Sequence, residues 1–295
     1  MSRVDEALQR AAGGDEATPG MQQLFRPAWS DAELEPDPPA ASPVLEHHAP
    51  GERQETIEPI QLALSAGPIR FSSRWREQLA AGPAGDPVLV EQFRRLATTL
   101  HHAQQVNGLR SIMVTSAMPG DGKTLTAINL GLVLAESYRA NVLIVDADLR
   151  RASISELVEP ASGGGLSDAL RSSTEQKLAL LPLTPRLTLL PAGQPIANSI
   201  EALTSPRMQR ILDEAATRYD WVILDAPPLG PAADATLLTR MVGGVLFVVR
   251  AGRTRYADVA AAVKSIGSEQ IIGVVLNGVE DTPTPEYSYL AGPRD

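Results

Sequence analysis

Along the second two thirds of this 295-residue chain, short apolar runs alternate with stretches of helical periodicity. The runs at 111–115, 141–145, 187–190, 221–224, 244–249 and 272–276 have strand length and carry few polar residues. Such near-continuous apolar strands belong to a sheet buried on both faces, which parallel strands joined by helical crossovers produce. Before them, Val88, Phe93, Leu96 and Leu100 recur at helical spacing and predict an amphipathic helix leading into the domain. Strands alternating with helices predict an α/β fold, a mainly parallel β-sheet flanked by helices joined through right-handed crossovers. No internal repeat is visible.

The first part of the chain reads differently. Ser2 and Asp5 can form a capping box, with Val4, Leu8 and Ala11 on one side of a short helix over residues 1–12. Residues 13–85 are expected to be a largely disordered linker, acidic and rich in proline near its start, with too little apolar surface to offset ordering entropy. Residues 86–282 form the predicted main domain, and 283–295 a flexible tail carrying Tyr287 and Tyr289.

Charge sharpens this division. The formal net charge is -9, and residues 1–60 hold 12 acids against 4 bases, so the folded remainder is nearly neutral. That balance argues against non-specific nucleic-acid binding. The absence of cysteine excludes disulfides and thiolate metal sites within the chain. No apolar run approaches the roughly 18 residues needed to span a bilayer, and the polar start lacks a signal-peptide core, so a cytoplasmic location is expected.

Candidate chemistry begins at SAMPGDGKT, residues 116–124, which lies between a predicted strand and a predicted helix. A loop built around Pro119, Gly120, Asp121 and Gly122 turns backbone N–H groups toward a polyphosphate, and the helix N-terminus adds a favourable dipole. Lys123 can reach the terminal phosphates, and Thr124 can offer its hydroxyl to Mg²⁺. Ala117 stands where a strict Walker A loop has its first glycine. Lys123, Lys177 and Lys264 are the chain's three lysines. A chain that otherwise uses arginine thus places a compact ammonium at the cradle.

Two apolar runs end in acids. VLIVDADLRR places Asp146 at a strand end, followed by Asp148 and Arg150, and strand alternation would turn both acids to one side. WVILDAPP ends in Asp225 and is stopped by two prolines. Ligands gather at the carboxyl ends of parallel strands, so these acids and the cradle should converge on Mg²⁺ and a nucleophile.

Together, SAMPGDGKT, LIVDADLRR and VILDAPP resemble the Walker A, A-prime and B motifs of the bacterial tyrosine kinases of capsule and exopolysaccharide synthesis, a branch of the MinD- and ParA-like P-loop ATPases. VEQFRRLATTL, GGGLSDAL, LTSPRM and IIGVVLNGV extend the similarity over about residues 86–280. The resemblance implies ATP-dependent tyrosine autophosphorylation, with Tyr287 and Tyr289 as acceptors. It assigns Lys123 and Thr124 to ATP and Mg²⁺, Asp148 and Asp225 to the metal, and Asp146 to the tyrosine proton, with Arg150 beside them. It also implies a membrane polysaccharide co-polymerase as activator, a homo-oligomer, a cognate phosphatase, and peripheral attachment to the inner membrane through a partner.

Two features depart from the family pattern. Its E-x-x-R-x-x-R oligomerisation motif appears here as Glu91, Arg94 and Ala97, and the tail holds only two tyrosines. Asn277 either recognises adenine, as in related ATPases, or simply turns the chain before Gly278. Two other readings remain open: a MinD- or ParA-like switch ATPase, opposed by Met118 where a signature lysine is usual, and a catalytically weak regulatory ATP-binding subunit.

Overall fold

Eight strands form one sheet in the order β1-β6-β7-β4-β8-β3-β9-β10. They are β1 (Leu62–Leu64), β3 (Ser111–Ser116), β4 (Val142–Asp146), β6 (Leu178–Pro182), β7 (Leu187–Leu190), β8 (Trp221–Asp225), β9 (Val245–Arg250) and β10 (Ile271–Asn277). Two short strands, β2 (Arg70–Phe71) and β5 (Val158–Glu159), pair separately and antiparallel. The computed structural model describes residues 62–64, 70–71, 78–80 and 86–279, apart from 153, 155–157, 160–163, 173–177 and 231–233. The expected 1–12 helix and the 283–295 tail, with Tyr287 and Tyr289, lie outside the described residues.

The six expected strands form the parallel part of this sheet, as double-sided burial requires. Their side chains divide by alternation. Met113, Leu143, Val145, Val222, Leu224 and Phe247 face one core, while Ile112, Val114, Ile144, Ile223, Leu246 and Val248 face the other. Two strands of this sheet, besides the separate β2–β5 pair, were not foreseen. β6 pairs antiparallel with β7, and β1 pairs parallel with β6. β1 falls inside the stretch expected as linker, so that expectation is corrected for residues 62–64.

Helices cover both faces. On one side lie α1 (Pro87–Asn107) and α2 (Lys123–Ser137). On the other, the core takes in residues of α3 (Leu166–Arg171), α5 (Pro206–Arg218), α6 (Asp234–Leu238) and α7 (Tyr256–Ile266), with α4 (Ser199–Leu203) between α3 and α6. α1 starts where Asp86 accepts from the Val88 amide at 3.0 Å, with Pro87 in its first turn, and stops at Gly108, whose φ is 68°. It buries Phe93, Ala97 and Leu100. Ala97 has no exposed surface, so this position of the oligomerisation motif is a core contact here. Glu91 instead pairs along its own helix, with Arg94 and Arg95 at 3.8 Å each.

α2 is buried nearly all round, because the sheet lies beneath it and α1 above. Its one buried amide side chain, Asn129, reaches back to the segment before α1. It accepts from the Ala80 amide at 2.7 Å and donates to the Gln78 carbonyl at 2.9 Å. Leu79 and Ala80 thereby pack into the core, again inside the expected linker. Among the described residues no helix is long and apolar enough to cross a membrane.

Asn129→Leu should remove both bonds and leave the buried Ala80 amide unpaired, at a cost of about 2 kcal/mol. A lowered urea midpoint with an unchanged slope, together with faster protease cleavage ahead of Pro87, is the expected result.

Candidate functional site

The register of the sheet brings the acids together. Asp146 and Asp225 are cross-strand partners at the carboxyl ends of neighbouring strands, and Val114 pairs with Asp225 on its other side. The loop that follows β3 therefore starts beside Asp225, one strand away from Asp146. The loop after Asp225 is tied to β3 as well: the Thr115 hydroxyl donates to the Pro227 carbonyl at 2.7 Å, and the Leu229 amide to the Ser116 carbonyl at 2.7 Å.

Gly120 and Gly122 adopt φ of 86° and 99°, conformations that L side chains rarely take. At Gly122 an added Cβ would also run into the Asn277 amide. Gly122 begins α2 without any side-chain cap, so the first N–H groups of a 15-residue helix are left for an anion. Lys123 lies 93% buried at this point, its Nζ 3.5 Å from Asp148, 3.6 Å from Asp225 and 3.3 Å from the Thr124 hydroxyl. Burial alone would lower its pKa, but the fields of Asp225, Asp148 and Asp146 more than reverse this and raise it.

The three acids have different surroundings. Asp146 ends β4, whereas Asp148 stands in the turn that follows, so strand alternation does not relate them; they approach Lys123 from separate backbone segments. Asp146 is fully buried and accepts from the amides of Asp148 at 3.2 Å and Ile154 at 3.1 Å. Burial, reinforced by the charge on Asp225, pushes its pKa up to about 8. Asp225 is fully buried too, and no hydrogen bond of good geometry reaches either carboxylate oxygen, although Lys123 at 3.6 Å and the Thr124 hydroxyl lie beside it. Burial drives its pKa upward against the pull of Lys123.

A buried carboxylate with both oxygens unbonded, beside a threonine hydroxyl and a second acid, is a donor set suited to Mg²⁺. Among the described residues no three His, Cys, Asp or Glu side chains cluster as a complete metal cage. Mg²⁺ needs none, because it keeps several waters and takes phosphate oxygens alongside one or two carboxylates.

Other expected site residues serve the loop itself. The Asp121 carboxylate turns from the cradle, accepting from the Met118 amide at 3.0 Å and the Thr254 hydroxyl at 2.7 Å. Asn277 Nδ2 donates to the Asp121 carbonyl at 2.8 Å, bracing the loop from β10. Arg150 does not join Lys123: its guanidinium pairs with the buried Asp234 at 2.8 and 3.3 Å and donates to Ser199 at 3.0 Å. The Ser199 hydroxyl closes this cluster on Asp234 at 2.6 Å. Thr254, Ser199 and Asp234 escaped the sequence reading. Each lies 35 or more residues from its partner, and no local pattern marks such pairs.

A family model described as an AAA domain matches residues 109–242. The tyrosine-protein kinase YwqD of Bacillus subtilis is 32% identical over 226 residues, covering 76% of this chain and 94% of that protein. The tyrosine-protein kinase etk of Escherichia coli is 34% identical over 203 residues; the match covers 68% of this chain but only 28% of that protein. The solved kinase domain of the Escherichia coli enzyme superposes with a TM-score of 0.61 at 34% identity, covering 68% of this chain and 79% of that domain.

Asp225→Asn replaces a fully buried carboxyl, one of three acids grouped around a single lysine, with a neutral isostere. It should raise the melting temperature of the nucleotide-free protein by about 2–4 °C, equivalent to about 1 kcal/mol, while weakening Mg²⁺-dependent ATP binding. Thermal unfolding with and without Mg²⁺-ATP tests both halves; a variant less stable without nucleotide would contradict the electrostatic account.

Proposed function

The chain belongs to the bacterial tyrosine-protein kinase family, and we propose that it transfers the γ-phosphoryl group of ATP to tyrosines of its own C-terminal tail, Tyr287 and Tyr289. The observation that carries this reading is Lys123, clasped between Asp148 and the unbonded Asp225 at the mouth of an uncapped helix. That arrangement holds a polyphosphate and the divalent cation that accompanies it, which is most of what phosphoryl transfer asks of a protein.

Each residue has a place in this mechanism. Backbone N–H groups of Gly120, Gly122 and the first turn of α2 cradle the phosphates, and Lys123 supplies a point charge to the terminal ones. Thr124, Asp148 and Asp225 would hold Mg²⁺, which would supply charge neutralisation to the transferred group. Asp146 receives the tyrosine proton, a role supported by its elevated proton affinity. It has no exposed surface here, and its oxygens hold two amides of the 148–154 loop, so the hydroxyl reaches it when that loop moves. Arg150 acts by anchoring this loop to Asp234 rather than by touching ATP.

The wider setting follows the family. In this reading the kinase regulates polymerisation or export of a capsular or exopolysaccharide, is activated by a membrane co-polymerase, and is reset by a tyrosine phosphatase. It works as a homo-oligomer on the cytoplasmic side of the inner membrane, with neighbouring subunits exchanging tails. Since Ala97 is buried and Glu91 pairs within α1, other surfaces contribute to that assembly.

Incubation with Mg²⁺-ATP and the activator should yield phosphotyrosine, mapped by mass spectrometry to Tyr287 and Tyr289. Lys123→Ala should reduce it by about 100-fold or more, and the double change to Phe should remove most of the label while leaving ATP binding intact. ATP hydrolysis with nucleotide-dependent dimers and no phosphotyrosine would identify a switch ATPase instead.

A further inference from the structure

We propose that Arg253, in the loop between β9 and α7, is a further nucleotide-binding residue that contacts the phosphate chain of ATP from across the Walker A loop. The proposal rests on the ATP-binding reading above and adds to it a residue from a different part of the chain.

The loop at 250–254 is fixed to the cradle by a set of short bonds. The Thr254 hydroxyl donates to Asp121 at 2.7 Å and accepts from the Arg250 amide at 3.2 Å, and both Thr254 and Asp121 are buried. Arg250 also donates through its guanidinium to the Gly120 carbonyl at 3.3 Å. The Ala251 amide donates to the Asn277 carbonyl at 2.8 Å, and Asn277 in turn holds the Asp121 carbonyl. Residues 250–254 and 120–121 thus form one braced unit, in which the backbone of Arg253 has little freedom to shift.

On that brace the guanidinium of Arg253 sits over Gly120, 3.7–3.9 Å from where a Cβ would be. Arg253 is exposed, and its side chain has no hydrogen-bond or ion-pair partner among the described residues. The neighbouring Arg255, by contrast, is occupied by Asp258 at 2.8 Å. A guanidinium has five donors in a planar fork suited to phosphate oxygens, and this one is held ready against the phosphate loop.

Charge balance points the same way. Inside the cradle a single lysine faces Asp146, Asp148 and Asp225, so the interior is acidic while its ligand is a polyanion. Mg²⁺ would offset part of that mismatch, and an exposed guanidinium reaching the phosphates would offset more without adding to the buried cluster.

Titration of the full chain with ATP, ADP and adenosine in the presence of Mg²⁺ tests this. Arg253→Ala should weaken ATP binding by about tenfold, ADP less, and adenosine not at all, while Arg253→Lys should retain part of the ATP affinity. Raised salt should narrow the gap between wild type and Arg253→Ala. Unchanged ATP affinity in Arg253→Ala overturns the proposal, as does an equal loss for ATP and adenosine, which would mean stacking on the base. Wild-type protein without affinity for ATP would instead overturn the ATP reading itself, and this proposal with it.

Discussion

One buried cation among three carboxylates organises the active end of this protein. Lys123 reaches Asp148 and Asp225 within 3.6 Å and feels Asp146 as well. An ammonium taken this far out of water costs several kcal/mol unless opposite charge and hydrogen bonds compensate it. Here compensation comes from three separate stretches of chain, the ends of β4 and β8 and the turn after β4. The lysine is therefore also the point at which those stretches are held in register. Strand pairing sets Asp146 against Asp225, the uncapped helix sets Lys123 before them, and neither placement is useful without the other.

Around this centre the loops are braced by residues that do not touch the phosphate site. Asp121 binds Thr254, Asn277 binds the Asp121 carbonyl, and Arg150 binds Asp234 and Ser199. Each bond joins a loop at the carboxyl edge of the sheet to a neighbouring element. These polar contacts add to the apolar anchoring of the same loops, in which Ala117, Ala147, Leu149, Ala226 and Leu229 are buried in the core. The bulk of the apolar burial lies in the two side-chain layers on the faces of the sheet.

How far the sequence reveals this depends on the range of the interaction. The six parallel strands were legible because burial on both faces turns each into an unbroken apolar run, and the cradle was legible because its glycines, Lys123 and Thr124 are contiguous. β6 was not: LALLP is as apolar as its neighbours, but the turn joining it to β7 contains none of the Gly or Asn residues that advertise a hairpin. β1 is three residues long and joins the sheet through backbone bonds, which leave little trace in composition. Asn129 carries no local mark of its role, although its amide ties Gln78 and Ala80 to α2. The pairing of Thr254 with Asp121 spans 133 positions and has no local signature.

Asp225 shows why the site is built at some expense to the fold. A carboxylate with no exposed surface and no well-aligned hydrogen bond, with Lys123 and the Thr124 hydroxyl beside it, costs stability that a neutral isostere would restore. Its position at the end of a fully buried strand prevents the protein from solvating it, and Lys123, shared with two other acids, balances it only in part. On the proposed reading, a divalent cation at Asp225 and a polyphosphate at the N–H groups of α2 would close that deficit. On that reading, the same carboxylate that weakens the protein by itself would strengthen its hold on Mg²⁺-ATP.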